Sequence, residues 1–138
     1  CPGGRPAGAL TDTPGSSDVY DRGYITYPNA ANSDTLGVAP STIETSGAVS
    51  EEVARAMANG ALKRSAASVA VSVTGIAGPG GGTVEKPVGL IFLGLAHPGG
   101  VESRRLDLVT DREQNRERSA YAALELLRRH LAGHLRTN

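Results

Sequence analysis

Apolar and polar positions change their spacing several times along this chain. From Ser50 to Arg64 the apolar residues recur three and four apart. Val53, Met57 and Ala61 form one line, with Ala54, Ala58 and Leu62 beside it. That spacing predicts an amphipathic helix. Ser50 stands at the N-cap, Glu51 and Glu52 favour the positive end of the helix dipole, and Lys63 and Arg64 favour the negative end. Gly60 inside it costs some helix stability. The pattern then becomes continuous. Ser68–Val73 and Val88–Ala96 are apolar runs that read as strands buried on both faces, as in the middle of a sheet with helices on either side. Pro98-Gly99-Gly100 predicts a hairpin turn, and Val101–Leu108 alternates as an edge strand pairing back. Asp111 caps a last helix reaching about Gly133, with Ala120, Leu124, Leu127 and Leu131 as its core stripe.

The first third is broken more often. Pro6 and Gly8 leave only a short or frayed helix to about Asp12, and Pro14-Gly15-Ser16-Ser17 reads as a turn. Tyr24–Tyr27 alternates like a strand and Pro28 closes it. Asn29 is placed to cap a short helix to about Leu36, stopped by Gly37. Pro40 and Ser41 open another to about Thr45, ended by Gly47. Together these elements predict an α/β fold: a three-layer α/β/α domain with a mixed sheet. It occupies residues 1–138 as one domain, with neither internal repeats nor a dividing linker.

Composition narrows the function. The chain has 138 residues, enough for a core of its own. There is no Trp, and Phe92 is the single Phe, so that core is aliphatic. Fourteen basic residues balance 14 acidic ones, which argues against electrostatic nucleic-acid binding. One cysteine, Cys1, excludes an internal disulfide framework, and cytoplasm is the default compartment. No apolar run reaches the ~20 residues of a membrane span, so no membrane partner is expected.

The candidate chemistry lies between the two apolar runs. Ser72 to Val88 reads SVTGIAGPGGGTVEKPV, with glycines at 75, 78, 80, 81 and 82. Glycine admits positive φ and close backbone approach, and successive N–H groups can cradle an anion or an oxyanion. A plain connection between strands fits the composition equally well. A phosphate-binding P-loop is excluded, because Lys86 stands four residues beyond Gly82 and Pro87 follows it. A dinucleotide fingerprint is excluded, because the segment after the glycines reads as a strand rather than a helix. His130 and His134 are four apart on the last helix, but no acid accompanies them, and they read as surface residues; no metal is expected.

Five segments together are specific. TGIAGPGGG with EKPVG closely resembles the signature of the CinA C-terminal domain family, which includes the nicotinamide-nucleotide amidases. LTDTPGSS (10–17), RGYITYPN (22–29), GAVSEEVA (47–54) and DREQNR (111–116) agree with the family in order and approximate spacing. The resemblance runs from Cys1 to about Leu127. It implies hydrolysis of the carboxamide of nicotinamide mononucleotide, to nicotinic acid mononucleotide and ammonia, with no cofactor and no metal. It also implies that Thr74, Gly75, Ala77, Gly78, Gly80 and Gly81 line a pocket. Lys86 stands on that loop, and Arg112 and Arg116 match the charged start of the last helix, where an Arg can hold a phosphate bidentately.

The same resemblance exposes departures. The family's Ser nucleophile precedes the Cys of a Glu-Ser-Cys-Thr-Gly-Gly motif, a position before Cys1, and Pro2 replaces the motif's Thr. The resemblance also implies a helix and strand before the point where this sequence opens with Cys1; the start reads as either processed or that of a fragment, the resemblance favours the fragment, and a sheet edge is then expected to be left by the missing strand. The family's Tyr-Ser-Asn-Glu-Ala-Lys is here Tyr27-Pro28-Asn29-Ala30-Ala31-Asn32. The resemblance implies a catalytic role for Tyr27 as a partner of the Ser, and Tyr27 is kept, but the partner Lys is Asn32, which is neutral and cannot act as a general base. The expectation is therefore an impaired amidase. Cys1 with its own α-amine, or Lys86, or less well Lys63, are the candidates to compensate. The alternative is a non-catalytic module that binds a pyridine nucleotide or packs against an N-terminal partner domain or a second copy.

Overall fold

The computed structural model describes the backbone of residues 1–136 and the side chains of residues 1–133. Three strands form its sheet: β1 (Ala70–Gly75), β2 (Leu90–His97) and β3 (Gly100–Asp107), in the order β1-β2-β3. Both pairings are antiparallel, with Val73 opposite Leu93 and Leu93 opposite Arg104. The sheet was expected to be mixed; no parallel pair occurs among the described residues. β2 is central and buried on both faces, with Leu90, Ile91, Leu93, Leu95 and Ala96 each 2% exposed or less. Its continuous apolarity follows from that position.

Alternate residues of β2 serve different layers. Ile91, Leu93 and Leu95 pack with Ala123 and Leu126 of the last helix, α5 (Arg112–Arg136), joined by Val71 and Val73 of β1 and Leu106 of β3. The opposite face carries α4 (Glu51–Lys63), whose cap is as predicted: Ser50 Oγ accepts from Val53 N at 3.2 Å. α4 sits directly on the strand backbones. Ser72 Oγ donates to Ala54 O at 2.6 Å, and a Cβ on Gly94 would stand 2.3 Å from that same oxygen. Two short helices flank α4: α2 (Asn29–Leu36) and α3 (Pro40–Ser46). Leu36, Val38 and Ile43 close a second core cluster with Val53 and Met57. α1 (Arg5–Thr11) lies on α5. The result is three layers: α2, α3 and α4, then the sheet, then α1 and α5.

Gly60 has a use that propensity does not reveal. A Cβ there would stand 2.0 Å from the carbonyl of Leu36, so the end of α2 rests on the bare backbone of α4. Gly37 ends α2 in the left-handed region at φ 70°, where glycine carries no steric penalty.

Four local expectations are corrected. Tyr24–Tyr27 is extended but pairs with no strand among the described residues; Tyr24 packs its ring on the Leu36–Met57 cluster and donates its hydroxyl to Arg64 O at 3.0 Å. Asn29 is the first helical residue of α2, and Pro28 holds the cap position without a side-chain bond. The predicted strand starts at Ser68 and Val88 move two residues on, to Ala70 and Leu90. The buried stripe of α5 is rotated from the predicted one: Asn115, Ser119, Ala120, Ala123 and Leu126 are buried, whereas Leu131 is 49% exposed. Two polar residues in that stripe hid it from a search for apolar spacing.

Candidate functional site

A cavity of about 200 Å³ opens where the end of β1, the start of α5 and the Tyr27–Asn32 segment converge. Cys1, Tyr27, Asn32, Thr74, Ala77 and Arg112 line it, with Gly75 and the backbone around Ala48. Residues far apart in sequence thus meet at one point.

One wall is the first part of the glycine-rich loop. Ile76 N donates to Leu90 O, and Gly89 N to Ile76 O, so the loop is pinned at its neck. Asn115, fully buried, donates from Nδ2 to Ala77 O at 2.9 Å and to Thr110 O at 3.1 Å, while its Oδ1 accepts from the Thr110 hydroxyl. Arg112 Nη1 donates to Gly78 O at 2.7 Å. The first turn of α5 therefore holds the loop by two successive carbonyls. Asp111 caps that turn, its Oδ1 accepting from Gln114 N. Gly78 has φ 86°, which carries the chain out of this wall.

The floor comes from β1. Thr74, 8% exposed, donates its hydroxyl to Ala48 O at 2.7 Å, tying the strand to the loop before α4. The opposite wall is Tyr27 and Asn32. Asn32 is 5% exposed, and its Oδ1 accepts from Thr26 Oγ1 at 2.5 Å. Tyr27 is 76% exposed at the mouth, where its hydroxyl accepts a long 3.4 Å bond from Arg112 Nη2.

The charge of the cavity is positive. No Asp or Glu is among its lining residues, and Arg112 makes no ion pair among the described residues. Arg116 stands behind, its Nε donating to Cys1 O at 3.0 Å. Burial, then Arg116 and Arg112, hold the Cys1 α-amine below its ordinary value. A group that accepts hydrogen bonds and carries negative charge is favoured in such a place.

Of the residues singled out in the sequence, Cys1, Tyr27, Asn32, Thr74, Gly75, Ala77 and Arg112 meet at the cavity, and Gly78 braces it. Gly80 and Gly81 stand exposed beyond its rim. Lys86 reaches away, its Nζ donating to Ser46 O at the end of α3, and Lys63 is the last residue of α4; neither lines the cavity. Arg116 supports the backbone of Cys1 rather than the cavity surface. His130 stacks on His97 with ring centroids 4.4 Å apart, and His134 lies outside the residues whose side chains are described. No group of three or more His, Cys, Asp or Glu side chains suited to a metal occurs among the described residues. None of the described helices is long and apolar enough to cross a membrane. Asn115 was missed in the sequence; a lone amide in a charged first turn carries no apolar signal, although DREQNR drew attention to its neighbours.

Known proteins resemble this chain in sequence and shape. The CinA-like protein of Chlorobaculum tepidum is 53% identical over 129 residues, covering 90% of this chain and 30% of its own length. The crystal structure of the competence/damage inducible protein CihA from Agrobacterium tumefaciens is 50% identical at a TM-score of 0.90, over 92% of this chain and 78% of that one. The competence damage-inducible protein A of Klebsiella pneumoniae is 32% identical at a TM-score of 0.91, over 96% and 82%. The chain spans about a third of the length of the curated relatives it matches. Residues 1–131 match the CinA C-terminal domain, and the chain belongs to that family.

Proposed function

We propose that this chain binds a pyridine mononucleotide in the cavity beside Thr74 and Arg112, and that its hydrolysis of the nucleotide's carboxamide is impaired. The observation that carries the reading is Asn32. At the position where the resemblance expects a lysine, a neutral amide is buried and bonded to Thr26. Hydrolysis by a covalent route requires a nucleophile, a group to take its proton, and donors for the oxyanion. The guanidinium of Arg112 supplies a donor, with N–H groups beyond those it gives to Gly78 O and Tyr27. Among the described lining residues there is no Lys, His, Asp or Glu to take a proton. A nucleophile other than Cys1 lacks the proton acceptor that the resemblance places at position 32. A general base is worth roughly 10²- to 10⁴-fold in rate.

The alternative is a binding module without chemistry, and one experiment separates the two. Ammonia release from nicotinamide mononucleotide is followed alongside calorimetric titration. Binding is expected, with turnover roughly 10²-fold or more below that of a family member carrying the lysine. Turnover equal to such a member defeats the impairment, and Cys1→Ala then tests the thiol. Absence of binding defeats the nucleotide reading itself.

A further inference from the structure

Asn32 enters the cavity with one atom uncommitted. Its Oδ1 accepts from the Thr26 hydroxyl, and Nδ2 is the other end of the amide. Nδ2 has no partner among the described residues, yet no buried side-chain polar atom is left unsatisfied. Nδ2 therefore opens onto the cavity that Asn32 lines.

The acceptors around it are engaged. Ala48 O takes the Thr74 hydroxyl, Ala77 O takes Asn115, Gly78 O takes Arg112, and Cys1 O takes Arg116. Arg112 has N–H groups beyond the two in use. A ligand thus meets an amide donor, a guanidinium and no carboxylate. The one lining side chain with a free lone pair and its proton committed is Thr74.

We infer that Asn32 makes this cavity select the carboxylate of a nicotinate-type ring over the carboxamide of a nicotinamide-type ring. The inference rests on the pyridine-nucleotide reading above. A carboxylate offers two acceptor oxygens, and a charge-assisted bond from Nδ2 is about twice as strong as a neutral one. A carboxamide also brings two N–H donors, and Thr74 can accept only one of them at its best. The other falls to a carbonyl that already accepts a bond or to the exposed Tyr27 hydroxyl, a weaker match than a carboxylate oxygen makes with Nδ2 and Arg112.

The test compares nicotinic acid mononucleotide with nicotinamide mononucleotide by calorimetry on the 138-residue chain, and nicotinate with nicotinamide by NMR line broadening. The acid nucleotide is expected to bind about tenfold tighter, the scale set by a charge-assisted bond in place of a neutral one. Asn32→Asp replaces the donor with a carboxylate and is expected to reverse that preference, the acid form binding more weakly than the amide form. Thr26→Val frees the amide to turn and is expected to erase the preference without altering charge. Equal affinities, or tighter binding of the amide form, in the unaltered chain overturn the inference. A preference untouched by both substitutions overturns the assignment to Asn32. If neither nucleotide binds but nicotinate broadens more than nicotinamide, the nucleotide reading fails and the carboxylate inference stands. If none of the four binds, both fall.

Discussion

The two walls of the cavity are built in opposite ways. The wall of Ala77 and Gly78 is tied by side chains of α5, with Asn115 fully buried behind it and Arg112 bracing its next carbonyl. The facing wall has no strand beneath it among the described residues. Tyr27 is 76% exposed, and the segment leading to it is extended backbone secured mainly by the Tyr24 hydroxyl and the Thr26–Asn32 bond. The difference teaches a division of labour. A loop carrying glycines needs an outside amide to fix these carbonyls, because neither Ala77 nor Gly78 brings a polar side chain of its own. The wall where the resemblance implies a lysine and Asn32 stands hangs on a helix whose position another helix sets.

Breaking the braced wall is expected to have the largest effect. Asn115→Leu leaves Ala77 O and Thr110 O without their partner and replaces an amide in a fully buried place. A loss of about 2–4 kcal/mol is expected in urea denaturation, from an unsatisfied buried acceptor plus misfit. Breaking the support of the other wall comes next. Gly60→Ala drives a methyl group into the Leu36 carbonyl, and about 1–3 kcal/mol is expected, read by the same titration. Because α2 carries Asn32, nucleotide binding is expected to weaken with it. An unchanged affinity in a destabilised Gly60→Ala chain means that α2 does not position the ligand.

Arg112→Ala sharpens the comparison at the point where the walls touch. It removes a largely exposed cation and one brace, so stability is expected to fall by no more than about 1 kcal/mol, while mononucleotide affinity falls about tenfold or more. The smallest effect lies far from both walls. The guanidiniums of Arg128 and Arg129 hold the Glu125 carboxyl at about 2, below its ordinary 4.5. A depressed carboxyl contributes stability that is present above pH 4.5 and is lost as pH falls toward 2. The group is exposed, so Glu125→Gln is expected to change thermal stability only slightly, and only by flattening that acid limb.

Much of this arrangement can be read from residue order, for definite reasons. α4 announces itself because cap, first-turn acids and apolar spacing agree. The β2–β3 hairpin does so because Pro98-Gly99 separates two runs by a two-residue turn. The Tyr24–Tyr27 segment misleads because alternation records which side a residue faces, not whether a neighbouring strand exists. The α5 stripe misleads because Asn115 and Ser119 are buried for their hydrogen bonds. At the cavity, Thr74, Gly75, Ala77, Tyr27 and Arg112 stand out through family resemblance, since no spacing rule brings residues 27, 74 and 112 together. Lys86 looks suited to a site by its loop, yet a carbonyl at the end of α3 holds it instead.

The far half of the glycine loop, from Pro79 to Glu85, is exposed, and a side chain added at Gly80 would meet nothing within 4 Å. Such tips are where chains tolerate cutting and insertion. Because the neck is closed at Ile76 and Leu90, a cut near Gly80 would leave two pieces, one ending just after β1 and the other carrying β2, β3 and α5. The β1–β2 ladder and the packing of α4 across the sheet would still hold them together. The molecule thus has a natural seam at which it can be split or joined in a new order, or fitted with a reporter a short reach from the cavity mouth.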